Sequence, residues 1–330
     1  MKNRLFVLML SILMCSASAS LSAEEGKNAE TTRTLTLEDM RKKYADADSK
    51  FMDVDGINVH YKDQGTGPAI LLVHGTLGDL HDWDTWAEVL SKHYRVIRFD
   101  LPGFGITGDI PNGNYSVDRS HVLIDGLMDA LGIEQFGIAG ISYGGMVSFR
   151  YAATRVNRIT SMILVNSAGI QFGKAVKRDT DTKDKPRKNM FIDPVVNRED
   201  VAQFYDDYIN DHTYVTSAFI QRKLDYLNIV NRDTNSIKAY KLYEKGNPQR
   251  VLSHVTAPSL VIWGTANQAL DTETAQAFID ALTASCFKKL VTFDDGGHYI
   301  NVERPAPTAK AALAFLRGLP EIDACKSSCE

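Results

Sequence analysis

Short apolar runs alternate with helix-like stretches through most of the chain, and this alternation limits the possible folds more than any other feature. A run of four or five mainly apolar residues is typical of a strand in a parallel sheet, because helices cover both faces of such a sheet. The runs lie at residues 69–73, 95–99, 136–139, 162–165, 259–263 and 289–293. The helix-like stretches lie at residues 83–90, 117–131, 144–153, 274–282 and 307–316. The pattern predicts an α/β fold with a mostly parallel, doubly wound sheet.

Two segments depart from this alternation. Residues 51–55 and 57–63 flank an Asp55-Gly56 turn, which predicts an antiparallel hairpin at one edge of the sheet. The interval between the fourth and fifth runs is too long for a simple crossover, and its apolar residues recur at helical spacing. We interpret residues 170–254 as a helical insertion that forms a lid over one end of the sheet. Some of its aromatic side chains are expected to face a pocket, the candidates being Tyr205, Tyr208, Phe219 and Tyr226.

The start of the chain has the pattern of a secretion signal. Basic residues precede an apolar run at residues 5–13, and the small residues 17–19 follow it. The apolar run is too short to span a bilayer, so no membrane span is expected after cleavage. We expect cleavage after Ala19, with Ala23 as the alternative, and a periplasmic or secreted protein. The predicted division is a signal peptide at 1–19, a polar segment at 24–49, a core at 50–169 and 255–318, the insertion, and a tail at 319–330.

The cysteines fit an exported protein. Cys15 leaves with the signal, and the bulky Met14 beside it argues against lipid attachment there. In an oxidising compartment the other three are expected to form one disulfide and leave one thiol free. Cys325 can pair locally with Cys329, or one of the two can fix the tail to Cys286.

Composition and motif spacing exclude several classes of function. The chain has 330 residues, of which 44% are hydrophobic, and a formal net charge of −4 at pH 7. An acidic balance argues against a nucleic-acid partner, which needs a basic face. No zinc-ligand spacing of histidine and cysteine occurs, so no metal is predicted. Residues 103–108 match G-x-G-x-x-G, but Pro102 and a turn at 111–113 oppose a helix start, so no nucleotide cofactor is predicted.

The strongest chemical motif is G-x-S-x-G at residues 140–144, centred on Ser142. It lies directly between an apolar strand and a helix, where the chain must turn so sharply that flanking glycines are needed. The serine hydroxyl is then exposed at the end of the strand, above a helix N-terminus. Ser142 is the candidate nucleophile.

A serine hydroxyl needs a base and an oxyanion site to act on a carbonyl. The candidate base is His298, in the glycine-framed loop after the last apolar run. Parallel strands end at a common edge, which would bring His298 close to Ser142. The backbone N–H groups of Thr76, after the buried strand at 69–73, and of Tyr143 are the candidate oxyanion donors.

Taken together, these segments resemble the α/β-hydrolase family, and in particular its lidded, secreted bacterial members. The resemblance rests on His74-Gly75, on residues 100–105, on the serine motif, on Trp263-Gly264 and on Gly297-His298, in the order that the family has. It covers residues 50–316. The resemblance implies the α/β-hydrolase fold and serine-hydrolase chemistry, without specifying a substrate.

One position departs from the family pattern. The family's triad aspartate follows the Trp-Gly pair after the seventh strand, but here that position holds Asn267. The nearest carboxylate is Asp271, and the alternative acid position after the sixth strand holds Asn166. Two interpretations stay open: Asp271 serves as the acid after a shift of the loop, or Asn267 orients His298.

The expected function is therefore a serine hydrolase that cleaves a small or medium carboxylic ester, or a related acyl bond, with an apolar part. An alternative within the same fold is hydrolysis of a carbon–carbon bond in a vinylogous diketone. A third alternative is a ligand-binding pseudoenzyme, which the missing acid motivates. The sequence does not specify an oligomeric state.

Overall fold

Within residues 35–170, 196–230 and 246–319, which the computed structural model describes, eight strands form one sheet in the order β1-β2-β4-β3-β5-β6-β7-β8. Strand β2 pairs antiparallel with both β1 and β4, whereas the other neighbours pair in parallel. The predicted α/β sheet with an edge hairpin is confirmed. The strands are β1 (Lys50–Val54), β2 (Ile57–Gln64), β3 (Ala69–Val73), β4 (Arg95–Phe99), β5 (Phe136–Ile141), β6 (Ile159–Val165), β7 (Ser259–Gly264) and β8 (Lys288–Phe293).

Helices cover both faces of this sheet, which explains the apolar runs. In β3, Leu71 and Val73 pack into one core cluster with helices α3, α4 and α8, while Ile70 and Leu72 pack into another with α2 and α10. Strand β8 is less buried than the inner strands because it lies at the edge of the sheet, and Lys288 at its start is exposed. The helices are α1 (Leu37–Tyr44), α2 (Asp84–Leu90), α3 (Val117–Ala130), α4 (Tyr143–Thr154), α5 (Arg198–Tyr208), α6 (Ser217–Leu227), α7 (Pro248–Leu252), α8 (Thr272–Ala281), α9 (Ile300–Glu303) and α10 (Pro305–Arg317).

Helices α5, α6 and α7 lie between β6 and β7, in the interval predicted as a helical insertion. Tyr205 and Phe219, from α5 and α6, are buried together with Leu77 of the loop after β3 and Tyr299 of the loop after β8. The insertion therefore packs on loops at the carboxyl ends of the parallel strands. Its function as a lid stays a prediction, and residues 171–195 and 231–245 lie outside the described residues.

Helix α1 begins with a capping box, in which Thr36 and Asp39 bond each other's backbone N–H groups. Its Met40 is buried against Ile106 and against Tyr226 and Ile229 of the insertion. None of the helices that the structure describes is long and apolar enough to cross a membrane. The predicted signal at 1–19 lies outside the described residues, so export stays a prediction. Cys286 is exposed and free, whereas Cys325 and Cys329 lie outside the described residues.

Helix α3 offers a matched test of the packing. Leu127 is fully buried in the core cluster, whereas Val122 in the same helix is 44% exposed. We expect Leu127→Ala to lower the free energy of unfolding by about 2–5 kcal/mol, because it removes buried methyl groups and leaves a cavity. Val122→Ala should change it by less than about 0.5 kcal/mol. Urea denaturation of both variants checks this, and equal losses would contradict the packing.

Candidate active site

The turn between β5 and α4 holds Ser142 in a strained conformation. Its φ is 52° and its ψ −119°, a left-handed region that non-glycine residues seldom adopt. A side chain on Gly144 would come within 2.4 Å of the backbone oxygens of Val73 and His74, and one on Gly140 within 2.2 Å of the Gly144 oxygen. The glycines of the motif are thus required by close backbone approach. Their lack of side chains lets the turn lie directly against the end of β3, and Ser142 is left partly exposed at the end of β5.

The structure brings His298 to Ser142. The Nε2 atom of His298 lies 3.0 Å from the Ser142 Oγ, although the two residues are 156 positions apart in sequence. His298 is 6% exposed, and the aromatic rings of Tyr208 and Tyr299 lie within 6 Å of its imidazole. The predicted nucleophile and the predicted base are therefore within hydrogen-bond distance.

Two buried side chains, Asn166 and Glu303, hold the loop of His298 in place. Their hydrogen bonds to this loop were not predicted from the sequence. Asn166 donates from its Nδ2 to the backbone oxygens of Gly297 and His298, at 2.9 and 2.8 Å, and its Oδ1 accepts from Gly264 N. The Glu303 carboxylate accepts from Gly297 N at 3.0 Å and from Asn210 N. From the sequence, Asn166 is notable only as the residue that occupies the family's alternative acid position. Glu303 lies five residues after His298 in a segment that also holds Asn301 and Arg304, so no sequence pattern distinguishes it.

Asn267, and not Asp271, lies next to His298. The Oδ1 atom of Asn267 is 3.1 Å from the His298 Nδ1, and Asn267 is 5% exposed. Asp271 instead caps helix α8, since its Oδ1 accepts from the backbone N and the Oγ1 of Thr274 at 2.9 and 2.8 Å. The expectation that a loop shift delivers Asp271 to His298 is corrected here, because the carboxylate is occupied by its own helix N-terminus.

The loop after β3 comes close to Ser142 from the other side. A side chain on Gly75 would lie 3.1 Å from the Ser142 Cβ, a tight contact that shows how closely this loop approaches the serine. His74 fixes this loop, since its Nδ1 lies 2.7 Å from the Gly75 oxygen and its Nε2 accepts from Leu101 N. The Tyr299 hydroxyl donates to the Thr76 oxygen at 3.2 Å. Tyr143 is the first residue of α4, where backbone N–H groups have no acceptor within the helix.

A buried cluster of charges joins the insertion to the same loop. Lys223 of α6 donates to Asp79 at 2.7 Å and to Asp82 at 2.6 Å, and Arg222 donates to Asp79 at 3.2 Å. Burial acts to raise the pKa of Asp79, but Arg222 and Lys223 outweigh it and hold that pKa well below its usual value. Burial dominates at Asp82 and raises its pKa. The two cations of the insertion are thus bound to carboxylates of the core.

Comparisons with known proteins find matches over most of the chain. A family model described as alpha/beta hydrolase fold matches residues 68–305. The chain is 25% identical to a 2-hydroxy-6-oxo-6-(2'-aminophenyl)hexa-2,4-dienoic acid hydrolase of Metapseudomonas resinovorans, over 81% of this chain and 90% of that protein. It is 26% identical to Lipase 3 of a Moraxella species, over 78% and 80%. The solved structure of a membrane phospholipase A, a bacterial virulence factor, superposes with a TM-score of 0.72 at 25% identity, over 82% and 86%.

The charge cluster generates a stability prediction. We expect Lys223→Met to lower the free energy of unfolding by about 3 kcal/mol at pH 7, at the lower end for breaking a buried ion pair, because Arg222 still contacts Asp79. The lowered pKa of Asp79 stabilises the fold above its unfolded pKa, and this contribution disappears as the pH falls through the folded pKa. The loss should therefore shrink below about pH 4.

Lys42→Met is the matched control for this variant. The Lys42 side chain is 70% exposed and pairs with Glu38 one helical turn away, where solvent screens the interaction, so we expect no measurable change in stability. Chemical denaturation between pH 3 and pH 7 measures both variants. A pH-independent loss for Lys223→Met would contradict the electrostatic explanation.

Proposed function

This chain belongs to the α/β-hydrolase family, and we propose that it is a serine hydrolase that cleaves a small or medium carboxylic ester through an acyl-enzyme at Ser142. One observation carries the proposal: the Ser142 Oγ lies 3.0 Å from the His298 Nε2 at the carboxyl end of a central strand. A hydroxyl in this contact can lose its proton to the imidazole as it attacks a carbonyl carbon.

The proposed reaction proceeds in two halves that use the same groups. In the first, the Ser142 Oγ bonds to the carbonyl carbon, its proton passes to the His298 Nε2, and the imidazolium returns that proton to the departing alcohol. In the second, a water molecule repeats the attack on the acyl-enzyme, His298 takes the proton of the water, and the acid leaves as Ser142 regains its proton. No cofactor takes part in either half.

The oxyanion formed in each half is proposed to accept hydrogen bonds from the backbone N–H groups of Thr76 and Tyr143. Support comes from the close approach of Gly75 to the Ser142 Cβ and from the position of Tyr143 at the start of α4. The Tyr299–Thr76 hydrogen bond and the His74 contacts keep the loop after β3 in place, so the donors need no rearrangement during the reaction.

Two considerations favour an uncharged ester with an apolar part. Rings of Tyr208 and Tyr299 lie beside His298, and Lys223 and Arg222, which the insertion brings to the loop after β3, are already bound to carboxylates. These cations are therefore not available to bind a carboxylate of a substrate. Among the relatives, Lipase 3 and the membrane phospholipase A have names that denote ester hydrolases.

Hydrolysis of a carbon–carbon bond is the second candidate. It is favoured by the similarity to the Metapseudomonas dienoic acid hydrolase, which spans 90% of that protein. A 2-hydroxy-6-oxo-dienoate carries a carboxylate, so this candidate needs a substrate-binding cation other than the two cations paired in the cluster. Comparison of turnover on p-nitrophenyl esters of two to eight carbons and on a 2-hydroxy-6-oxo-6-phenyl dienoate separates the two activities.

A fluorophosphonate probe tests the proposed nucleophile without a choice of substrate. We expect rapid modification of Ser142 in the wild type. Both the modification and the esterase activity should be lost in Ser142→Ala. Ser253→Ala, which removes a hydroxyl that donates to the backbone of α7, is the control and should behave as the wild type. Mass spectrometry locates the adduct. Folded wild-type protein that is neither modified nor active on either substrate class would support a ligand-binding protein and contradict the proposal.

A further inference from the structure

Three nitrogen atoms, two of them backbone N–H donors, converge on a single side-chain oxygen after β7. The Asn267 Oδ1 accepts from the backbone nitrogens of Ala269 and Leu270, at 3.0 and 3.1 Å, and lies 3.1 Å from the His298 Nδ1. A carboxamide turned the other way would direct its NH₂ group at two backbone N–H donors. The backbone of the loop therefore fixes which end of the Asn267 side chain faces His298.

This orientation determines the tautomer of His298. Because the group facing Nδ1 is an acceptor, Nδ1 must carry a proton, and the lone pair of Nε2 then points toward the Ser142 hydroxyl. In serine proteases, replacement of the triad aspartate by asparagine lowers turnover about 10⁴-fold because it gives the wrong tautomer. Here Ala269 and Leu270 prevent that error.

The Asn267 carboxamide lacks the negative charge that an aspartate would have at this position. Asn267 is uncharged, and its Nδ2 is buried without a hydrogen-bond partner among the described residues. The titratable groups around the His298 loop are Tyr208 and Tyr299, whose rings contact the imidazole, and Glu303, whose carboxylate binds backbone N–H groups of Gly297 and Asn210. The side chain that faces the His298 Nδ1 is that of Asn267, at 3.1 Å.

We propose that the catalytic triad of this protein ends in a neutral residue, with Asn267 as a positioning residue that fixes the His298 tautomer and supplies no charge. The inference rests on the proposed function, because it concerns the same serine and histidine. It makes Asn267→Asp an activating change. A carboxylate at this position accepts the same three N–H groups, removes the buried unpaired donor and stabilises the imidazolium that forms when Ser142 attacks.

The test is the rate constant for modification of Ser142 by a fluorophosphonate between pH 5 and pH 9. We expect Asn267→Asp to raise the limiting rate about tenfold or more, and to move the acidic limb of the profile up by about one pH unit, because the new carboxylate favours protonated His298. Asn267→Ala should lower the rate at least about 100-fold, since nothing then orients the imidazole. Asp271→Ala, which removes only a helix cap, should stay within about threefold of the wild type.

A second measurement, ¹⁵N NMR of the histidine ring nitrogens, tests the His298 tautomer independently of the proposed function. Comparison with His298→Gln identifies the His298 signals, and the wild type should show a protonated Nδ1 at neutral pH. A protonated Nε2, a loss in Asp271→Ala equal to that in Asn267→Ala, or an unchanged rate and profile in Asn267→Asp would each overturn the neutral triad. If wild type and Asn267→Asp are both unreactive while Nδ1 is protonated, the proposed function fails and the positioning role stands.

Discussion

The site depends on how closely the turn after β5 approaches the loop after β3. At Gly144 the separation leaves no room for a side chain, at Gly75 a side chain would lie only 3.1 Å from the Ser142 Cβ, and Ser142 has a positive φ. Such strain persists only where the surrounding structure fixes the backbone, and here the buried strands on both sides of the turn do so. The position of the serine relative to Thr76 is thus a property of the sheet and not of a flexible loop.

The sequence predicted the elements whose burial is encoded locally. Strand β3 has helices on both faces, so all its side chains had to be apolar, and the run at 69–73 shows this. Asp55 and Gly56 both have positive φ, as an Asp-Gly hairpin turn requires. The Ser142–His298 pair could also be expected, because parallel strands end at one edge of the sheet. Ser142 directly follows β5, and His298 lies in the loop after β8.

The contacts that the sequence did not reveal depend on the exact path of loops. Asp271 and Asn267 are only four residues apart, and which of them reaches His298 depends on where helix α8 begins. Asn166 and Glu303 bind backbone atoms rather than side chains, so no motif marks them. Lys223 is paired inside the fold with Asp79 and Asp82. Because these residues lie more than 140 positions away in the sequence, no local pattern indicates the contact.

The docking of α1 on the insertion has a consequence for the order in which the chain matures. Lys43 and Tyr44 bind Asp225, 182 and 181 residues later, and Leu35 forms a β-bridge with Ile229. The helix is among the first described residues to leave the ribosome, and it also contacts Ile106, but its partners in the insertion are made only after β1–β6 and helix α5. Closure of so long a loop must wait for those partners. The contacts of α1 with the insertion thus form only after the insertion has been synthesised, and they mark a late stage of assembly.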